Sequence, residues 1–155
     1  MSNESAFLDM IAWSEIGPAL LAVSDNGYNV IVGSTPSNPN LFISYADHPR
    51  KLVQLRPGLV STAAGRYQLL ERYFDAYKLV MMLPDFSYSS QDAIALQQIK
   101  ESGAQNDVRL GNFADAVIKC SHIWASLPGN TYEQRENKLA DLQAAYIAAG
   151  GTLSG

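Results

Sequence analysis

Most of this chain repeats its apolar residues at helical spacing, and residues 26–60 do not. Within that stretch Tyr28-Asn-Val-Ile-Val32 and Leu41-Phe-Ile-Ser-Tyr45 are rich in β-branched and aromatic residues. The turn-forming run Ser34-Thr-Pro-Ser-Asn-Pro-Asn40 separates them, and together they read as an antiparallel hairpin. His48 to Gly58 is polar, with two prolines, and reads as irregular. Helices are expected on both sides. The first runs from about Ser5 to Glu15, with Asn3 or Ser5 as cap and Gly17-Pro18 as its end. A second covers about Ala63–Met82, where Tyr67, Leu70, Phe74 and Tyr77 make an aromatic, core-facing stripe ended by Pro84. Ser89-x-x-Asp92 reads as a capping box for a helix stopping at Gly103. Its segment Ala93-Ile-Ala-Leu96 is apolar on every side and is expected to be the central buried helix. Helices at about 112–125 and 132–149 complete the pattern. With 155 residues and no repeat or linker, one domain spanning 1–155 is expected. Its class is α+β, mainly helical, with a small antiparallel β insertion at roughly 26–60.

Composition narrows the function. A formal charge of −4 and a pI near 5.0 argue against nucleic acid and against a polybasic membrane anchor. The charge is uneven. Residues 1–47 carry five acids and no Lys or Arg, whereas residues 48–78 carry six such bases against Glu71 and Asp75. A positive flank on an acidic body is the expected result. Cys120 is the single cysteine, which excludes an internal disulfide. Cys120 and His122 point about 200° apart on a helix, so they cannot share a metal ion, and no cofactor motif is present. The opening Met-Ser-Asn-Glu-Ser lacks a basic n-region, so synthesis in the cytoplasm is expected.

Glu15 is the informative carboxylate. At ~100° per residue it falls about 80° from Phe7, inside the arc of Phe7, Leu8, Met10 and Ile11, while Asp9 faces away. A carboxyl held among apolar neighbours is pushed toward its neutral form, the state a general acid needs. Periodicity equally allows Glu15 to turn outward at the helix end. Gln68, near an expected helix start, offers a donor and an acceptor to a neutral ligand. Tyr132, beside a Pro-Gly loop, has a ring suited either to stacking on a sugar or to packing the loop. His48 and His122 read as hydrogen-bonded structural residues.

Six blocks are more specific. They are Phe7-Leu-Asp-Met-Ile-Ala-Trp-Ser-Glu15, Gly27-Tyr-Asn-Val-Ile-Val-Gly33, Tyr45-Ala-Asp-His-Pro49, Ser61-Thr-Ala-Ala-Gly-Arg-Tyr-Gln-Leu-Leu70, Ser90-Gln-Asp-Ala-Ile-Ala-Leu-Gln-Gln-Ile-Lys100 and Ile123-Trp-Ala-Ser-Leu-Pro-Gly129. In this order they resemble the lambda-type phage endolysins over nearly the whole chain. The resemblance implies a lysozyme-like fold, with a helical lobe, a small β lobe and a glycan-binding cleft between them. It also implies lytic transglycosylase activity on peptidoglycan, cleaving the β-1,4 bond between N-acetylmuramic acid and N-acetylglucosamine to leave a 1,6-anhydro end. Glu15 would be the sole catalytic carboxyl. Tyr67 and Gln68 would lie near the cleft, with Tyr132 and Gln134 behind one lip and Asp47 and His48 in the other. No metal or cofactor is implied. The protein would act as a monomer on the wall, in the periplasm, after leaving the host cytoplasm through a holin pore. The sequence departs from the family pattern at Ile16-Gly17-Pro18, in the length of the 34–40 turn and in its acidic charge.

Two other readings stand beside this one. A hydrolytic lysozyme would use Asp25 or Asp47 as nucleophile or base. A non-catalytic glycan-binding module would keep the fold without the chemistry.

Overall fold

The computed structural model describes residues 2–129 and 137–155. Among them the helices are α1 (Asn3–Glu15), α2 (Pro18–Ala22), α3 (Glu71–Val80), α4 (Tyr88–Glu101), α5 (Gln105–Leu110), α6 (Phe113–Cys120) and α7 (Leu139–Ala148), and the strands are β1 (Val53–Arg56) and β2 (Leu59–Ser61). This is the α+β composition expected. The chain divides into two compact units, Met1–Glu15 with Ala95–Gly155, and Ile16–Ile94.

In the first unit α1 packs against α5 and α7. Ser2 caps it, with the Ser2 hydroxyl accepting from the Ser5 amide at 3.1 Å, one residue before Asn3 and three before Ser5, the caps expected. Ala6, Phe7, Leu8, Met10, Ile11 and Ala12 are all buried, so α1 is apolar over most of its circumference. The deeply buried helix is therefore α1 rather than α4, where Ala93 and Leu96 stay partly exposed. Phe7 meets Phe113 edge-on at 6.0 Å, and Phe113 meets Tyr146 at 4.8 Å. Asn112 precedes α6 as expected, but that helix ends at Cys120. The last helix begins at Leu139, with Asn137 and Lys138 outside it. Asn3 ties the two ends of the sequence together, its side-chain oxygen accepting from the Thr152 amide at 3.0 Å and the Thr152 hydroxyl at 3.1 Å.

In the second unit β1 lies inside the segment His48–Gly58 that was expected to be irregular, and β2 directly follows it. β1 pairs antiparallel with β2 across Pro57-Gly58, a Pro-Gly turn signal masked by the charge of its surroundings. The expected hairpin is reduced to bridges. Val30 pairs with Leu41, and Ile31 with Ala64. Residues 63–70 are not helical. Ala64 and Leu69 exchange backbone hydrogen bonds of 3.1 and 2.8 Å around the turn Gly65-Arg-Tyr-Gln68, so α3 starts only at Glu71. Ser87 rather than Ser89 precedes α4, its carbonyl accepting from the Gln91 amide at 2.9 Å. Asp92 serves another purpose, described below. The core here is Ala64, Leu69, Phe74, Phe86 and Ile94, flanked by Phe42, Tyr77, Met81 and Leu83.

Candidate active site

Glu15 ends α1, and its carboxyl is turned inward, not frayed. The Ser126 hydroxyl donates to Glu15 Oε2, and the Ser126 backbone amide donates to the same carboxyl. Ser126 is held from both sides. Trp124 and Leu127 are buried, and the Leu127 amide donates to the Trp124 carbonyl at 3.0 Å. A second layer backs this contact. Ser14 and Ser126 hydroxyls lie 2.8 Å apart, and Asn137 Nδ2 donates to the Ser14 hydroxyl at 2.9 Å and the Ser14 carbonyl at 3.2 Å. The Asn137 amide in turn donates to the Ser126 carbonyl at 2.8 Å. Burial raises the Glu15 pKa above the ordinary carboxyl value, and the two Ser126 hydrogen bonds pull the other way. A carboxyl in this state keeps its proton to higher pH than a free one and can give it up to a bound oxygen.

The turn Gly65–Gln68 is built from several directions. Gln68 stands at φ 52°, and its Nε2 donates to the Gly65 carbonyl at 2.9 Å and the Val30 carbonyl at 3.3 Å. Tyr67 is buried and donates its hydroxyl to Asp92 at 2.5 Å, while Tyr28 donates to the same carboxylate at 2.9 Å. Arg66 donates to the Tyr67 hydroxyl at 3.0 Å and lies over the Tyr28 ring, 5.3 Å from its centre. Gln91 locks the arrangement. Its Oε1 accepts from the Arg66 amide at 2.9 Å, and its Nε2 donates to the carbonyls of Tyr28 (3.1 Å) and Phe86 (2.9 Å). Gly65 carries no Cβ for a reason, because one built there would collide with Gln91 Oε1.

His48 and Asp47 occupy different surroundings. His48 is buried, one ring nitrogen 2.9 Å from the Leu69 carbonyl and the other accepting from the Arg50 amide at 3.0 Å, with its ring beside Phe74 and Phe86. Burial lowers its pKa, and Nδ1, which accepts from the Arg50 amide, carries no proton. Asp47 is half-buried and bound to Arg50 at 2.8 Å, and the Arg50 contact holds its carboxyl below the usual range. Arg50 also pairs with Glu71 at 3.1 Å and Asp75 at 2.6 Å. With Arg50 among three carboxylates and Arg66 buried, the basic stretch presents less free positive charge than its composition implies. Tyr132 and Gln134 lie outside the described residues. Asp25 accepts from Tyr45 at 2.6 Å and from Tyr88, contacts that lower its pKa. Cys120 is buried and its thiol is pushed up to about 12, which leaves it inert. Among the described residues no cluster of His, Cys, Asp and Glu is arranged to hold a metal, and no helix is long and apolar enough to cross a membrane.

Ser126, Ser14 and Asn137 were not singled out from the sequence. The first two lie inside the Trp-Ala-Ser-Leu-Pro-Gly and Ala-Trp-Ser-Glu blocks, next to residues that were. Asn137 carries no local signal, since it reaches Ser14 only through the fold.

Known proteins resemble this chain in sequence and in fold. The endolysin of Escherichia phage lambda is 52% identical over 153 residues, covering 98% of this chain and 94% of that protein. The endolysin of Escherichia phage P2 is 45% identical over 155 residues, covering 96% and 93%. Among solved structures, bacteriophage lambda lysozyme complexed with a chitohexasaccharide superposes with a TM-score of 0.91 at 52% identity, covering 99% of this chain and 97% of that one. A second lambda lysozyme structure gives 0.87 at 50% identity. The fold is thus lysozyme-like, and a family described as Endolysin matches residues 5–153. The chain belongs to the Endolysin family.

Proposed function

We propose that this protein degrades bacterial peptidoglycan as a lytic transglycosylase, with Glu15 as its catalytic carboxyl. The observation that carries the reading is the inward-facing carboxyl of Glu15, raised in pKa by burial and held by Ser126. Glu15 gives its proton to the oxygen bridging muramic acid C1 and the next sugar, and the C1–O bond breaks. The positive charge at C1 is met by the muramic acid's own C6 oxygen. Glu15, now a carboxylate, takes the C6 hydroxyl proton as the 1,6-anhydro ring closes. The proton count balances without water, and one carboxyl serves as acid and then base.

The carboxylates that a hydrolytic mechanism would call on are engaged elsewhere. Asp25 is bound by two tyrosines and Asp47 by Arg50, which favours a one-carboxyl mechanism. A hexosamine strand as ligand is supported by the chitohexasaccharide in the lambda lysozyme complex. In this reading Gln68 binds sugar through its side-chain oxygen, because its amide nitrogen already serves two carbonyls. Tyr67 acts by orienting the turn. Asp47 borders the strand, and His48 contributes through its backbone while its ring stays enclosed. Tyr132 and Gln134 complete the sugar contacts. The protein works as a monomer, is made in the host cytoplasm, and reaches the wall through a holin pore.

Mass spectrometry of murein digested by the wild type tests the reaction. Fragments ending in 1,6-anhydromuramic acid are expected, and reducing muramic ends would refute the transglycosylase. Glu15→Gln should cut the clearing rate by at least ~100-fold. Retained activity would remove Glu15 from the chemistry.

A further inference from the structure

The hydrogen bonds behind Glu15 have a direction that follows from counting protons. The Ser14 backbone carbonyl can only accept, so the group of Asn137 that faces it is the NH2. That fixes Asn137 as donor to the Ser14 hydroxyl as well. Ser126 has a single hydroxyl proton and gives it to Glu15 Oε2. Of the two serine hydroxyls 2.8 Å apart, the donor must then be Ser14. Every proton in the row runs one way, from Asn137 to Ser14 to Ser126 to Glu15. Reversing the row would leave the Ser14 proton with no acceptor among these groups.

We propose that Asn137, Ser14 and Ser126 form a directed hydrogen-bond chain that positions Glu15, holding Oε2 as an acceptor. The chain acts through Glu15 and touches no substrate, so its members are positioning residues. It has two effects. Successive donors polarise one another, so the carboxylate formed after proton transfer is steadied more than by Ser126 alone. The hydroxyl at Oε2 also fixes the plane of the carboxyl, which spares its reorientation before each transfer. The inference rests on Glu15 being the acid and holds for either a transglycosylase or a hydrolase.

The test is the pH profile of murein clearing at subsaturating substrate. A general acid loses activity above its pKa, so the alkaline limb reports Glu15. Ser126→Ala removes a donor to the carboxylate. It should move the alkaline limb up by about one pH unit and lower the maximal rate about tenfold. Asn137→Ala should move the limb the same way by about half as much, although Asn137 is not bonded to Glu15. Ser126→Thr keeps the hydroxyl and should return the limb to its wild-type position. Thermal melts establish that each variant is folded, and Asn137→Ala decides the matter if Ser126→Ala is not. A limb that stays in place in the folded alanine variants would overturn the chain, even if rates fall. Full activity in Glu15→Gln would instead overturn the assignment of the acid, so the two failures are distinguishable.

Discussion

Replacing Gln91 with leucine tests whether one buried side chain holds the Gly65–Gln68 turn in shape. Leucine nearly matches glutamine in volume, so a cavity is not the issue. The change leaves three backbone groups behind, the Arg66 amide and the carbonyls of Tyr28 and Phe86, all now served by Gln91. Gln91 is 3% exposed, so water does not take its place. An orphaned buried donor costs ~1–3 kcal/mol and the two carbonyls add to that, giving about 3–5 kcal/mol in total. Against a typical stability of about 5–15 kcal/mol this is a large fraction. For a chain of this size the melting temperature should fall by roughly 10 °C. Gln97 is the control, since its amide reaches only the exposed Glu101 at 3.0 Å and Gln97→Ala should stay within ~0.5 kcal/mol of wild type. Gln91→Glu adds a sign check. A buried carboxyl has a raised pKa, so the folded state binds its proton more readily than the unfolded one. That variant should regain stability as pH falls. Urea unfolding followed by circular dichroism at two pH values measures all three. If Gln91→Leu unfolds within ~1 kcal/mol of wild type, the accounting of the turn is wrong.

Other expectations follow from groups already described. The folded-state pKa of Glu15 lies above its unfolded value of 4.5, so its ionisation opposes folding as pH rises through that interval. Glu15→Gln should therefore gain stability over wild type at pH 8 but not at pH 4, read by denaturant midpoints, and an equal difference at both would refute the burial argument. Asp47 and Asp75 are depressed by Arg50, so their stabilisation is complete above the ordinary value of 3.8 and lost as pH falls below it. Arg50→Ala should flatten that acid limb, and the difference from wild type should shrink in 1 M salt. Cys120 should be silent to a thiol reagent at pH 8 and react only when the chain is unfolded in urea. Rapid labelling of the native protein would contradict its burial.

Helix existence was legible from periodicity, because Phe7, Met10 and Ile11 on α1 or Phe74 on α3 announce a buried face without help. Boundaries were less so. Tyr67 keeps helical spacing with Leu70 and Phe74 yet lies in a turn, since Gly65 and Gln68 both take positive φ and Gln91 supplies the partners a helix would have given. Asp92 looked like a capping residue because sequence shows only the serine three positions earlier. Its partners, Tyr28 and Tyr67, are 64 and 25 positions away. The strands were missed where Arg56 and Lys51 disguised a Pro-Gly turn. For the candidate site, the orientation of Glu15 was readable to within the choice of inward or outward. Its support was not, because Ser126 is 111 residues distant and Asn137 reaches Ser14 across 123.

That separation has a consequence for the protein while it is being made. α1 leaves the ribosome well before its partners α5 and α7 and before the serine that holds its acid. At ~5–20 residues per second, the 111 positions between Glu15 and Ser126 take about 6–22 s to synthesise. In the last part of that time, once Ile94 has been made, the second unit, Ile16–Ile94, has all of its own residues, while α1 still lacks α7. Until Ser126 has been made, Glu15 lacks both of the hydrogen bonds that hold its carboxyl. The held acid therefore comes into being only after Ser126 has been made, well after the second unit is complete.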